Sequence, residues 1–234
     1  MASTYLQKQI KVILTDIEGT TTDISFVHEV LFPYSAKHLS NWVLNNLKLP
    51  ITQDILQQVR EITGKSNLDA ESCLIQLMDW QTEDKKITPL KTLQGLIWRE
   101  GYDKGELKSH IYADAVEYLQ KWYDVGLILA VYSSGSIAAQ KLLFQNTSVG
   151  DLTSLFSANF DTTTGSKVET QSYLAIADKL SVLPQEILFL SDSLKELVAA
   201  SAANVNVCGL NREETAIDSE FNYVNNFSEI ALKL

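Results

Sequence analysis

The sequence of 234 residues is short of cysteine and histidine, and each shortage excludes a class of protein. Cys73 and Cys208 are its two cysteines, which excludes a disulfide-stapled secreted scaffold and indicates a reducing compartment. Three histidines and two cysteines leave little from which to build a zinc site. We therefore expect neither a disulfide framework nor structural zinc.

Basic residues are also scarce, because 19 Lys and Arg face 29 Asp and Glu, giving a formal net charge of −10. Such a chain has no basic footprint for nucleic acid or an anionic membrane. No long uncharged apolar run is present, and the first eight residues lack the apolar stretch of a signal peptide. We expect a cytoplasmic protein without nucleic-acid or membrane partners.

Proline and glycine are few, with 4 and 10 residues, so long helices with few breaks are expected. At 45% apolar residues the chain can build a sizeable core. Its length fits one α/β domain that carries an insertion, or two small lobes.

Short apolar, β-branched runs alternate with helical patterns over most of the chain. We predict strands at 11–15, 127–132, 158–160, 187–190 and 205–208, and helices between them at 114–123, 136–145, 169–180 and 194–203. This alternation predicts parallel βαβ units and a Rossmann-like, doubly wound parallel sheet.

Residues 25–110 have a different texture, with apolar residues at helical spacing and no convincing strand. We predict helices there over about 31–47, 51–62, 69–80 and 89–99. The predicted domain division is therefore a core of 1–24 with 111–234 and a helical insertion of 25–110.

Polar residues follow several of the predicted strands, where ligands of such sheets bind. They are Asp16 and Glu18, Ser133 and Ser134, Lys167 and Asp192. One of the first two carboxylates could act as a nucleophile and the other as an acid or base, although acids also occur in solvated turns. The serines could bind an anion at a helix N-terminus, or Ser134 or Ser136 could simply cap that helix.

The remaining two positions complete a set suited to phosphoryl chemistry. Lys167 could hold a phosphate, and Asp192 could join Asp16 in a hard-cation site of the kind that Mg²⁺ prefers. Ser193 and Glu196 match a capping box for the following helix, so we assign Glu196 a structural role rather than metal ligation.

These residues occur in the order of the four motifs of the haloacid dehalogenase superfamily of phosphatases, which the chain resembles. One branch, the enolase-phosphatases or acireductone synthases, is more similar still. The matching segments are 16–27, 31–34, 93–99, 132–136, 139–144, 160–161, 165–169 and 189–192, which together span most of the chain.

The resemblance implies a phosphatase core with an inserted helical cap that closes over the site. It implies a role in methionine salvage, in which 5-methylthio-2,3-dioxopentyl phosphate is enolised and then dephosphorylated to the acireductone. It also implies a monomer with one Mg²⁺ per subunit, held by the side chains of Asp16 and Asp192 and the backbone carbonyl of Glu18. Ser133, Ser134 and Lys167 would bind the substrate.

The enolisation base is expected in the cap, because the reacting carbon lies several bonds from the phosphate. Lys91 is our candidate, since it shares a helix face with Trp98, seven residues on, within the matching cap segment. A lysine shielded there would have a lowered pKa, as a general base requires. A solvated helix lysine is the alternative.

Two other functions remain open at this point. A generic sugar-phosphate phosphatase of the same superfamily would lack the enolase step, and Glu18 and the 93–99 match argue against it. A phospho-accepting receiver module also carries acids, a hydroxyl and a lysine at strand ends. Receivers are about half this length and have no helical cap.

Overall fold

The computed structural model describes residues 10–214 and 220–232. They form two compact units, one within 10–24 and 109–232 and the other of 25–108. The N-terminal segment considered for a signal peptide lies outside the described residues. No helix of the described chain is long and apolar enough to cross a membrane.

The first unit is built on a six-stranded parallel sheet with the order β3-β2-β1-β4-β5-β6. Its strands are β1 (Val12–Thr15), β2 (Ile128–Tyr132), β3 (Phe156–Phe160), β4 (Ile187–Ser191), β5 (Asn206–Leu210) and β6 (Tyr223–Val224). β1 is central, pairing with β2 on one side and β4 on the other. Both faces of β1 are buried, which explains its uninterrupted apolar sequence.

The α-helices follow the predicted pattern closely. In chain order they are α1 (Phe32–Asn45), α2 (Pro50–Thr63), α3 (Ala70–Thr82), α4 (Thr88–Asp103), α5 (Ala113–Asp124), α6 (Ile137–Gln145), α7 (Thr170–Lys179) and α8 (Leu194–Ala202). The predicted doubly wound parallel sheet is confirmed. Two features had no sequence signal: the two-residue strand β6 and a π-helical segment, Phe26–Leu31, that leads into α1.

The second unit contains α1 to α4 around an apolar core. Proline occupies the first turn of α2 and α4, where its missing N–H costs no hydrogen bond. Fully buried core residues include Ile55, Val59, Cys73, Leu77 and Leu93. The roles predicted for the two segments, a phosphatase core and a cap, stay predictions.

The first unit is tied together where the chain leaves it and returns. The Thr22 hydroxyl donates to the His110 carbonyl at 2.8 Å, and the Asp23 N–H donates to His110 Nδ1 at 3.0 Å. The Tyr112 N–H donates to the Thr21 carbonyl at 3.0 Å. The loop after β1 is thereby joined to the segment that precedes α5.

Candidate active site

Asp16 begins the loop after β1 at the carboxyl end of the sheet. Its side chain is buried, and its Oδ1 accepts hydrogen bonds from the Ile17 N–H at 2.7 Å and from Lys167 Nζ at 2.6 Å. The Asp16 N–H donates to the Leu190 carbonyl of β4 at 2.9 Å, so the sheet itself fixes the backbone here. One carboxylate oxygen is therefore held by two donors.

Lys167 is buried between two carboxylates. Its Nζ lies 2.6 Å from Asp16 Oδ1 and 2.6 Å from Glu196 Oε2. Burial lowers the pKa of Lys167, but the charges of Asp16 and Glu196 overcome that effect and raise its pKa above the ordinary value. The Tyr173 hydroxyl donates to the Lys167 carbonyl at 2.7 Å and fixes the backbone. Lys167 is therefore held in a fixed position as the counter-charge of two carboxylates.

Glu18 and Ser133 meet across neighbouring strand ends. The Ser133 hydroxyl lies 3.2 Å from Glu18 Oε2, to which it donates. Burial, followed by the negative charge of Asp16, raises the pKa of Glu18. The two carboxylates that follow β1 are thus differently paired, Asp16 with Lys167 and Glu18 with a hydroxyl.

The loop that carries Ser133 and Ser134 is shaped by Gln140, which sequence analysis did not single out. Gln140 Nε2 donates to the Gly135 carbonyl at 2.9 Å and to the Phe160 carbonyl at 2.8 Å. Ser136 caps α6, where its hydroxyl accepts the Ala139 N–H at 3.3 Å. Capping is therefore done by Ser136, while Ser133 turns to Glu18 and Ser134 lies half-buried beside it.

Asp192 follows β4 and packs over Gly19 of the first loop. A Cβ atom at position 19 would lie 2.3 Å from Asp192 Oδ2, and Gly19 has φ +68°, so glycine is required on both counts. The Asp192 N–H donates to Thr20 Oγ1 at 3.2 Å. Desolvation by the surrounding protein, and then the Asp16 charge, raise the pKa of Asp192 to about 6.

The capping role predicted for Glu196 is wrong. Ser193 makes no side-chain cap, and the Glu196 carboxylate instead accepts from Lys167 and, at 2.9 Å, from the Ser191 hydroxyl. Burial and then the Asp16 charge raise the pKa of Glu196 to about 7. Glu196, in the first turn of α8, thus gives buried Lys167 a second counter-charge. Such additional partners help to offset the cost of burying an ion.

Within the described residues, four carboxylates share this edge of the sheet with the buried ammonium of Lys167. They are Asp16, Glu18, Asp192 and Glu196. Burial first, and then the charge of Asp16, raises the pKa values of Glu18, Asp192 and Glu196. Four carboxylates beside one ammonium carry an excess of negative charge that a divalent cation would offset. Carboxylate and carbonyl oxygens are the ligands that Mg²⁺ prefers.

The residues present fit a magnesium ion of the predicted kind. Within the described residues no group of three or more His, Cys, Asp or Glu side chains could hold a metal. The predicted magnesium site needs only two such side chains, because it combines the carboxylates of Asp16 and Asp192 with the backbone carbonyl of Glu18. Mg²⁺ commonly takes only one or two protein carboxylates and keeps several waters.

Lys91, the candidate enolisation base, belongs to the second unit. It is half-buried in the first turn of α4. Trp98, further along α4, donates its Nε1–H to the Leu31 carbonyl at 2.8 Å within the same unit. The cluster at the sheet edge thus contains the predicted residues of the first unit, and the role of Lys91 stays a prediction.

Comparisons with known proteins identify the class of protein. The family model of haloacid dehalogenase-like hydrolases matches residues 10–204. The chain therefore has the fold of this class of hydrolase.

Curated relatives narrow the class. Enolase-phosphatase E1 of Pseudomonas fluorescens is 54% identical over 87% of this chain and 90% of its own length. Enolase-phosphatase E1 of Sulfurihydrogenibium is 50% identical over 95% of this chain and 98% of its own length. The crystal structure of the UTR4 protein (Unknown transcript 4 protein) of Saccharomyces cerevisiae has a TM-score of 0.80, is 33% identical, and covers 93% of this chain and 98% of that one.

The chain therefore belongs to the enolase-phosphatase E1 family of the haloacid dehalogenase-like hydrolases. The resemblance noted in the sequence is confirmed. Hydrolases of this family are generally Mg²⁺-dependent.

Proposed function

We propose that the chain is an enolase-phosphatase of methionine salvage that enolises 5-methylthio-2,3-dioxopentyl phosphate and then releases its phosphate to give the acireductone. One observation carries the proposal. Asp16 pairs with buried Lys167, and Glu18 pairs with Ser133, at the same edge of the sheet. The chain that carries these pairs is 54% identical to an Enolase-phosphatase E1. We further propose a cytoplasmic monomer whose partner is this small phosphorylated diketone.

In the phosphatase half, Lys167 and Ser133 bind the phosphate together with Ser134. Lys167 suits this role because it is held by Asp16 and Glu196 and loses little side-chain entropy when an anion arrives. Ser133 is held by Glu18 and by the Gly135 N–H, which donates to its Oγ at 3.1 Å. The binding groups are thus positioned before the substrate binds.

Asp16 is the proposed nucleophile. Its carboxylate attacks phosphorus, the bond from phosphorus to the ester oxygen breaks, and a phosphoaspartate forms that water then hydrolyses. Glu18 gives a proton to the leaving oxygen, a role supported by its position two residues from Asp16 in the same loop. Lys167 offsets negative charge at Asp16 and on the transferred group.

The proposed cofactor is one Mg²⁺ held by Asp16, Asp192 and the Glu18 carbonyl. When bound, it supplies positive charge that offsets the phosphate and polarises the diketone. Gly19 permits Asp192 to approach the loop that carries the Glu18 carbonyl. The charge excess among the carboxylates supports this site.

In the enolase half, Lys91 is the proposed base that takes the proton from the carbon beside the diketone. Lys91 lies half-buried in the first turn of α4, within the cap segment that matches the family. The cap role of residues 25–108, in which α4 lies, is part of the same proposal.

The test uses purified protein, the diketone phosphate and Mg²⁺, with enediol absorbance and inorganic phosphate followed separately. We expect both signals, together with slower turnover of a generic aryl phosphate. Phosphate release without an enediol would replace the proposal by a generic sugar-phosphate phosphatase. Absence of both signals would overturn the activity altogether.

A further inference from the structure

Arg212 has no part in the proposed chemistry, yet its side chain is buried and fully engaged. It follows β5, and its side chain is 8% exposed. Nε and Nη2 both donate to the Thr20 carbonyl, at 3.1 and 2.7 Å, and Nη1 donates to Asp114 Oδ2 at 2.8 Å. Two guanidinium N–H groups thus bind one backbone carbonyl, an arrangement that a solvent-exposed arginine does not require.

The guanidinium is fixed in place from every side. It lies 4.2 Å from the ring centroid of Tyr112 and 5.1 Å from that of Phe227. Asp114 also accepts the Phe227 N–H at 2.8 Å, so the carboxylate that holds Arg212 is itself held. Arg212 is therefore a rigid support against which Thr20 rests.

Thr20 connects that support to the residues proposed to hold the cation. Its hydroxyl accepts the Asp192 N–H at 3.2 Å, and its own N–H donates to the Ile17 carbonyl at 3.2 Å. The preceding residue, Gly19, lies under the Asp192 carboxylate. A displacement of Thr20 therefore moves the Glu18 carbonyl and the Asp192 backbone at once.

We propose that Arg212 is a positioning residue for the cation site, acting through Thr20 on the Glu18 carbonyl and on Asp192. The inference rests on the magnesium site of the proposed function. Mg²⁺ demands near-ideal octahedral geometry, so a ligand set that has lost its support binds it less tightly. Loss of an outer partner of this kind typically costs about 10–100-fold in metal affinity.

The experiment is calorimetric titration of Mg²⁺ into the substrate-free wild-type protein, Arg212→Met and Arg60→Met. Arg60 is the matched control, because its Nε also donates to a backbone carbonyl, that of Leu68 at 2.8 Å, within the second unit. We expect Arg212→Met to bind Mg²⁺ about tenfold more weakly. Arg60→Met keeps the wild-type affinity even where it lowers the melting temperature.

A second measurement separates positioning from stability. Arg212→Ala leaves a guanidinium-shaped space lined by the Thr20 carbonyl and Asp114, so millimolar guanidinium chloride is expected to restore part of the Mg²⁺ affinity. Sodium chloride at matched ionic strength does not. Should Arg212→Met and Arg212→Ala fail to fold, Arg212→Lys carries the test, because one ammonium cannot reproduce the two hydrogen bonds to the Thr20 carbonyl.

Three outcomes are decisive. Wild-type Mg²⁺ affinity in a folded Arg212 variant overturns the inference and leaves the proposed function standing. An equal loss of affinity in Arg60→Met also overturns it, since the effect would then report general destabilisation. No Mg²⁺ binding by the wild-type protein is a failure of the proposed function itself.

Discussion

The two units of the molecule are stabilised in different ways. In the described part of the second unit, the buried residues are apolar apart from Ser35, Thr52 and Gln94. The described part of the first unit also buries the charged side chains of Asp16, Asp161 and Lys167. The second unit is therefore organised mainly by apolar packing, whereas the first unit also holds buried charge at the edge of its sheet.

Physical chemistry makes this an asymmetric arrangement. Burying an ion costs several kcal/mol, and an ion pair offsets that cost only with good geometry and further hydrogen bonds. Lys167 meets this condition with two carboxylates at 2.6 Å. An apolar residue such as Leu77, which is fully buried, contributes by burial of its surface with no such requirement. Substitutions in the two units should therefore separate chemistry from stability.

The largest effect is expected for Asp16→Asn, which removes the proposed nucleophile with almost no change of shape. Phosphate release should fall by at least about a thousandfold, as for other nucleophile removals. Steady-state phosphate release, with circular dichroism to verify folding, is the measurement. Retention of more than about a tenth of the wild-type rate would show that Asp16 is not the nucleophile.

Lys167→Met breaks the buried network and leaves Asp16 and Glu196 without their ammonium. We expect the free energy of unfolding to fall by about 3–5 kcal/mol and turnover to be lost. Leu77→Ala in the second unit is the matched comparison and should cost about 2–5 kcal/mol while the folded enzyme keeps its kcat. Denaturant melts and kinetics below the transition check both. Full turnover by Lys167→Met would show that Lys167 has no role in binding the phosphate.

Removal of the cation tests the charge excess directly. Chelation should stop turnover, and excess Ca²⁺ should inhibit because it favours longer bonds and a higher coordination number. Mg²⁺ at about 100 times its dissociation constant should add about 2.7 kcal/mol of stability to the wild-type protein. Asp192→Asn should lose most of that increment in a thermal melt. Unchanged activity in chelator would rule out the magnesium site.

Lys91→Ala is expected to have the most selective effect. Enediol formation should slow by about a hundredfold, the lower end for loss of a general base. Hydrolysis of a non-enolisable phosphate ester should stay near the wild-type rate. Equal loss of both activities would point to a structural defect. No loss of either would show that Lys91 is a solvated helix lysine and not the base.

Much of the first unit could be predicted because its strands are short, buried on both faces and followed by polar residues. β1, β2 and β4 are of this kind, and the rule that ligands bind beyond parallel strand ends then selected Asp16, Glu18, Ser133 and Asp192. β6 could not be predicted, because a strand of two residues is too short to show a hydrophobic periodicity.

Glu196 shows where sequence reasoning stops. Ser193 and Glu196 have the spacing of a capping box, and local sequence cannot tell a carboxylate that caps a helix from one that pairs with a distant lysine. The deciding fact is the burial of Lys167, 29 positions earlier, which only the folded chain reveals. Arg212 and Gln140 escaped for the same reason, because both act on backbone carbonyls that are remote in sequence.

The hydrogen bonds between the loop after β1 and the segment before α5 bear on how such a chain can be rebuilt. His110 is hydrogen-bonded to both Thr22 and Asp23. The chain therefore enters and leaves the segment 25–108 at neighbouring points of the first unit. Insertions are tolerated where the two ends of the interrupted chain already meet. Exchange of the whole segment for one of another length changes the entropy of loop closure only slowly. The sheet and the residue cluster at its edge can therefore stay unchanged when the inserted segment is exchanged.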